Sequence, residues 1–279
     1  IAGRNLATGI VRACDASGAI FGQSMTGGIV GENLGSIVSC RGRAYVNIES
    51  TDPSIDLSNL NLEFSLDLAK LSRADTLNTA TDTGGIAGYS SGAIASSTNY
   101  AAVGYQHIGY NIGGVVGRSS GQVLACSNEG AICGRKDVGG IAGIVSDDSF
   151  VINCYSTVEK ITANSSYASV VGYSKKGNLQ NIYGNSACPS KSAANSAVGS
   201  DKAAGTVWKK TTFALLSLDE MKSGAVTVPS SGESCANFAA ALNAGATLFN
   251  DTPAATLPGK PDVVLRKWTA SESYPVLEK

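Results

Sequence analysis

The sequence predicts an all-β fold: a parallel β-solenoid of about six coils, closed by a small mixed α/β region at the C-terminus. Three observations carry this expectation. A glycine-rich unit recurs at near-constant spacing. The apolar segments inside each unit run only three to five residues between glycines and polar turns, which suits short strands. The rhythm stops near residue 186, where helix and turn signals begin.

The unit is seen in "GGIVGENLGSIVSC" from Gly27, "GGIAGYSSGAIASS" from Gly84, "GGVVGRSSGQVLAC" from Gly113 and "GGIAGIVSDDSFVINC" from Gly139. Degenerate copies open the chain ("IAGRNLATGIVRAC") and close the array ("SVVGYSKKGNLQNI", from Ser169). Aligned, the third glycine falls at Gly3, Gly31, Gly88, Gly117, Gly143 and Gly172, at spacings of 28, 57, 29, 26 and 29. The 57 is either one unit plus an insertion or two units with one decayed. A second glycine recurs at Gly9, Gly35, Gly92, Gly121 and Gly177, with an apolar residue two places on. Five places on, one slot holds Cys14, Cys40, Ser97, Cys126 or Ile182, and Cys154 takes it in the fifth unit.

Units this short cannot bury a face alone, but stacked coils share one core. Each coil should advance by roughly 4.8 Å, the spacing of neighbouring strands. The fixed glycines are expected to supply positive φ at the corners. The recurring slot reads as an inward rung. Cys14, Cys40, Cys126 and Cys154 would be buried free thiols, because Ser97 and Ile182 fill the same position. A phosphate loop is excluded: G-x-x-x-x-G-K-[ST] is absent, the spacing is G-G-x-x-G, and no long amphipathic helix follows.

Residues 47–83 interrupt the array. "LNLEFSLDL" alternates like a strand, while Leu57, Leu60, Phe64, Leu68 and Leu71 also fit a helical stripe; strand is the favoured reading. Residues 187–279 are expected to cap the solenoid end, where strand edges would otherwise stand open. Ser217 and Glu220 form a capping box for a short helix stopped by Gly224. A second helix is predicted over 234–243, stopped by Gly245. "DVVLRKW" and "YPVL" read as closing strands anchored by Trp268 and Tyr274. Cys188 and Cys235 lie outside the ladder, and a disulfide between them fits a secreted protein.

Composition narrows the function classes. Hydrophobic residues make up 43% and charged ones 15%, so the chain buries a core; the net charge of -1 offers no field for nucleic acid or anionic lipid. Apolar runs are too short for a membrane-spanning helix. Seven cysteines without C-x-x-C, and one histidine, give no zinc framework. No cofactor is expected. His107, in "GYQHIGYNI", reads as a surface residue, and Asp147 with Asp148 as a solvated turn, too few ligands for calcium. The chain opens at Ile1 without an initiator Met or leader; it is expected to be a mature form or part of a longer polypeptide.

The repeat resembles the GLUG motif over roughly residues 1–185, in its G-G-[IV]-x-G…G-x-[IV]-x-x-C/S unit. The resemblance implies a right-handed parallel solenoid on a bacterial cell surface or in a secreted protein. Such repeats occur in the non-catalytic region of IgA-specific metallo-endopeptidases, and "W…YPVL" is similar to the end of many GLUG chains. No H-E-x-x-H occurs here, so that peptidase chemistry is not carried.

The leading expectation is a non-enzymatic extracellular protein, adhering to a host or microbial glycan or protein or serving as a display stalk. The alternatives are a lyase-like polysaccharide enzyme on a β-helix and an accessory module of a larger secreted protease. Asp15 and Arg41 share one outward offset, and Arg43 and Glu129 another, without forming a like-charged row. The binding candidates are aromatic, since exposed tyrosines stack on sugars or protein. Tyr89 and Tyr173 follow the third glycine, Tyr155 and Tyr183 follow the thiol slot, and Tyr105 and Tyr110 sit in a loop.

Overall fold

The computed structural model describes residues 1–48, 80–106, 108–191, 196–201, 211–253, 255 and 263–278. They form a nearly all-β parallel solenoid of about six turns with two helices. Each full coil contributes a strand to each of four sheets. In the third coil these are Thr81–Gly84, Ala87–Ser90, Ala93–Ala95 and Thr98–Asn99. We call the sheet that contains Ala87–Ser90 the first, and the sheets of Ala93–Ala95, Thr98–Asn99 and Thr81–Gly84 the second, third and fourth. All their strand pairs are parallel.

The sequence offsets are the structural register. Val30, Ala87, Val116, Ala142 and Val171 stack in the first sheet. Val11, Ile37, Ile94, Val123, Val151 and Leu179 stack in the second. These residues, with Ile29, Ile86, Val115, Ile141 and Val170, fill one continuous core. The Gly31 coil pairs directly with the Gly88 coil through Val30↔Ala87. The spacing of 57 is therefore one unit plus an insertion. The leucine-rich part of that insertion lies outside the described residues, as does His107.

The glycines do a different job from the one expected. None of the motif glycines has positive φ. The corners are turned by non-glycine residues stacked in two ladders. Ala13, Ser39, Ser96, Ala125, Asn153 and Asn181 bend the chain between the second and third sheets, with φ from 47° to 56°. Met25, Asp82, Asn111, Asp137 and Ser166 form the other ladder, inside the fourth sheet, with φ from 49° to 57°. An isolated left-handed residue costs about 1–2 kcal/mol, and here each bend is held by its neighbours: Ser39 N donates to Ala95 O (3.0 Å) and Ser96 N to Leu124 O (2.9 Å). The glycines provide room instead. A Cβ on Gly117 would strike the backbone of Asp82 and Thr83 in the preceding coil, and one on Gly143 that of Asn111 and Ile112. Gly88, Gly117, Gly143 and Gly172 each let the sheet lie flat against the previous coil's bend.

Inward polar residues also form ladders. Asn5 Nδ2 donates to Asn33 Oδ1 (2.8 Å), and Asn33 Nδ2 to Ser90 Oγ (3.0 Å). Asn99 Nδ2 donates to Asn128 Oδ1 (2.8 Å). These amides satisfy buried carbonyls at the corners, such as Ala101 O and Gly130 O.

The solenoid runs past residue 186. Val198 and Asp201 bridge to Val171 and Ser174, and Phe213–Leu216 pairs with Ile182–Asn185. Helix α1 (Leu218–Ser223) has the capping box: Ser217 Oγ accepts from Glu220 N, and Ser217 N donates to the Glu220 carboxylate. Helix α2 (Phe238–Asp251) starts later than expected, at an Asn237 N-cap, and runs through Gly245. Gly245 is there for contact, since a Cβ would lie 2.6 Å from Asn153 Oδ1. Trp268–Thr269 and Val276–Leu277 form an antiparallel hairpin.

This C-terminal segment packs on the flank of the coils as well as closing their end. Phe238, Leu242, Phe249 and Trp268 share a cluster with Leu124, Phe150, Ile152, Tyr155 and Tyr183 of the second and third sheets. The possible Cys188–Cys235 disulfide is absent. Both thiols are free. Cys188 packs with Val46, Val103 and Ile132, and Cys235 belongs to the flank cluster. Burial pushes the Cys188 thiol up to about 12.

Candidate functional site

The six candidate tyrosines divide by face. Tyr155 and Tyr183 are fully buried and cannot form a binding ladder. They point outward from the third sheet as the offset requires, but the flank covers them. Phe238 packs edge-on to both, at centroid distances of 5.3 and 5.0 Å. Trp268 lies 5.4 Å from Tyr155, whose hydroxyl donates to Pro275 O (2.8 Å). Burial drives both phenols far above their ordinary range.

Tyr89 and Tyr173 remain half-exposed on the first sheet. Strand register places them in one outward row, Arg4, Glu32, Tyr89, Arg118, Ile144 and Tyr173. Five inter-strand steps give it a length of roughly 24 Å. Arg4 Nε meets Glu32 at 2.8 Å. The Arg118 guanidinium lies 4.3 Å over the Tyr89 ring and holds Asp82 at 2.9 and 3.1 Å. Asn111 Nδ2 donates to the other oxygen of Asp82 (2.7 Å). Tyr89 Oη and Ser120 Oγ are 2.8 Å apart. Arg4, Glu32, Tyr89 and Arg118 of this row are thus held by contacts within the chain. Arg118 was missed in the sequence, although it occupies the same offset as both tyrosines.

Tyr105 and Tyr110 are half-buried, either side of Ile108. Arg135 stands 5.8 Å from the Tyr110 ring. They sit at the entry to the fourth sheet, away from the row.

A second feature lies where the flank ends. The hairpin and the early coils of the third sheet enclose a cleft of about 370 Å³, lined by Cys14, Arg41, Thr98, Tyr100, Glu129 and Arg266 among others. Arg43 bridges to Asp15 (3.3 Å) and covers the Tyr100 ring (4.6 Å). Burial pushes the Glu129 carboxyl above the usual range, opposed by Arg43. Burial, and then the Glu129 charge, push the Tyr100 phenol up. A proton on Glu129 is therefore easier to keep than on a solvated carboxylate.

Together these features define a class: a rigid β-solenoid with one flat, open polar–aromatic face and one covered flank. The chain matches no family model, no curated protein and no solved structure. Among the described residues, no helix is long and apolar enough to cross a membrane.

Proposed function

We propose that this chain is a non-enzymatic binding or display protein of the bacterial cell surface or secretome, holding an extended glycan or matrix strand along its first sheet. The supporting observation is the outward row from Arg4 to Tyr173. A chain of sugars or an extended peptide repeats along its own axis, and only a surface with many in-register positions can meet it repeatedly. Tyr173 offers a ring for stacking, and the Tyr89–Arg118 pair offers a fixed plane with hydrogen-bond donors. The GLUG-like repeat is consistent with a surface location. The test is an array of glycans and extracellular-matrix proteins. Saturable binding that falls at least tenfold in Tyr89→Ala/Tyr173→Ala supports the reading; binding unchanged in that variant removes the row from it.

A second reading is favoured by the cleft. Tyr100, Glu129 and Arg41 bring a phenol, a carboxyl of raised proton affinity and a cation to one cavity. That set suits lyase-like chemistry on an acidic polysaccharide. The same array samples, followed for ultraviolet absorbance of unsaturated products, decide between binding and turnover. An accessory role in a larger secreted protease would leave both assays silent.

A further inference from the structure

The bends inside the fourth sheet run beside the outward row of the first. The glycine before each outward residue packs on the bend of the preceding coil: Gly88 on Met25, Gly117 on Asp82, Gly143 on Asn111 and Gly172 on Asp137. Each bend thus has a fixed outward neighbour, in turn Tyr89, Arg118, Ile144 and Tyr173. Two of the bends are acidic, and only one has its cation. Arg118 donates to one oxygen of Asp82 from Nε (3.1 Å) and a terminal nitrogen (2.9 Å), and Asn111 Nδ2 donates to the other (2.7 Å). Asp137 makes the same bend, with φ of 56° against 57° at Asp82. Tyr173 follows it at the distance in sequence at which Arg118 follows Asp82. Ser166 takes the place of Asn111 and hydrogen-bonds to the carboxyl. No side chain takes the place of the guanidinium. Asp137 is 8% exposed, and its Oδ1 is buried with no hydrogen-bond partner among the described residues. Burial pushes this carboxyl up, opposed by the charge of exposed Lys136 and by the Ser166 hydrogen bond. A buried acceptor left bare is unfavourable, and this one lies on the open face.

We propose that Asp137 and Tyr173 form a subsite for a guanidinium group, the arginine side chain of an extended peptide lying along the first sheet. The proposal rests on the reading of that sheet as the binding face and adds the chemistry of the ligand. The occupied form is displayed two coils earlier, where Arg118 bonds Asp82 and lies 4.3 Å over the Tyr89 ring. A guanidinium donates to a carboxylate through two fixed N–H groups, which an ammonium cannot reproduce. Tyr173 is part-exposed, and two χ1 positions are common for a strand residue. Its ring turns off the carboxyl and stacks on the incoming group, the arrangement that Tyr89 and Arg118 already show. Ile144 pairs with Tyr173 in the row and offers apolar surface to the methylene stem of the arginine.

The experiment titrates the folded 279-residue chain near neutral pH with two short serine–glycine peptides, followed by NMR chemical shifts. The peptides differ only in carrying one arginine or its neutral isostere citrulline. The arginine peptide should bind roughly tenfold more tightly, the worth of a charged hydrogen bond at a part-exposed site. Asp137→Asn should erase that preference. Asn111 makes the same bend at φ 56°, so asparagine is accommodated there and the variant is expected to fold. Tyr173→Arg should erase the preference as well, by filling the subsite from within as Arg118 fills that of Asp82. It should also raise Tm, and the gain should vanish in Asp137→Asn/Tyr173→Arg. Equal affinity for the two peptides, or a preference that survives Asp137→Asn, would overturn the subsite and leave the row reading to its own array test. Tm unchanged or lowered in Tyr173→Arg would overturn it too, since the carboxyl would then need no cation. Glycan binding lost in Tyr89→Ala/Tyr173→Ala, with neither peptide bound, would assign the row to sugars and reject the arginine. Silence toward glycans and peptides alike would remove both readings.

Discussion

The first and third sheets carry tyrosines at fixed offsets of one repeat, yet Tyr89 and Tyr173 stay half-exposed while Tyr155 and Tyr183 are sealed. The strands do not cause the difference: in both sheets the tyrosine is an outward residue in a parallel ladder. The cause is the non-repeating segment after residue 217, which lays Phe238 and Trp268 over the third sheet. A repeat specifies which way a side chain points. Whether that direction meets water is decided by residues outside the repeat.

The largest effect that tests this contrast comes from Phe238, which touches both sealed tyrosines. Phe238→Ala should destabilise the chain by about 3–5 kcal/mol, the range for truncating a buried aromatic, read by urea unfolding. It should also raise the reactivity of Tyr155 and Tyr183 toward a tyrosine nitrating reagent. On the open face, Tyr173→Ala should cost less than about 1 kcal/mol. Equal losses at the two sites would mean that the open face is a second core.

Arg118→Ala sharpens the contrast from the other side. Although Arg118 lies on the open face, its partner Asp82 has a side chain only 5% exposed. Removing the guanidinium leaves a buried carboxylate with Asn111 as its remaining bonded side chain. The expected cost is about 1–3 kcal/mol, below that of a fully buried pair because Arg118 itself is part-exposed. In an Asp82→Asn background the same change should cost under about 1 kcal/mol. If the cost does not drop in that background, the stacking on Tyr89 carries the effect.

What the sequence revealed follows the same division. Coil register, the inward apolar ladder and the shared offsets of Tyr89 with Tyr173 and of Tyr155 with Tyr183 could be read directly, because a residue repeated at one offset must stack on itself. The role of the glycines could not. Positive φ and close approach leave the same mark in a sequence, and only the backbone shows that Asp82 and Asn111 make the bends while Gly117 and Gly143 make room for them. The burial of Tyr155 was hidden for a different reason. Nothing local to "NCYS" records that a helix from 238 onward lies over it. Gly245 likewise looks like a helix stop, because a stop and a contact with Asn153 both call for glycine. Arg118 shares the offset of Tyr89, but a lone arginine among aromatics does not mark a binding row by its residue type.

The smallest effect concerns Glu129, which lies at the boundary between the covered and open regions. Burial favours its neutral form, Arg43 opposes that, and the neighbouring Tyr100, Tyr155 and Tyr274 are phenols that burial keeps protonated. A carboxyl raised in the folded chain binds protons more readily there than when unfolded. Its favourable contribution is therefore complete below the ordinary Glu range, near pH 4, and is lost as pH rises through the raised value. Above that value the fold holds a partly desolvated charge. Glu129→Gln should accordingly raise Tm by roughly 1–3 °C at pH 7, with little gain at pH 4, where the parent is already neutral. Thermal unfolding of both chains at a series of pH values reads the difference. A gain that widens with pH places Glu129 with the covered flank. A constant difference, or a loss at pH 7, would mean that Arg43 pairs it well enough for the charge to stabilise the fold, and Glu129 would then belong with the open, ion-paired surface.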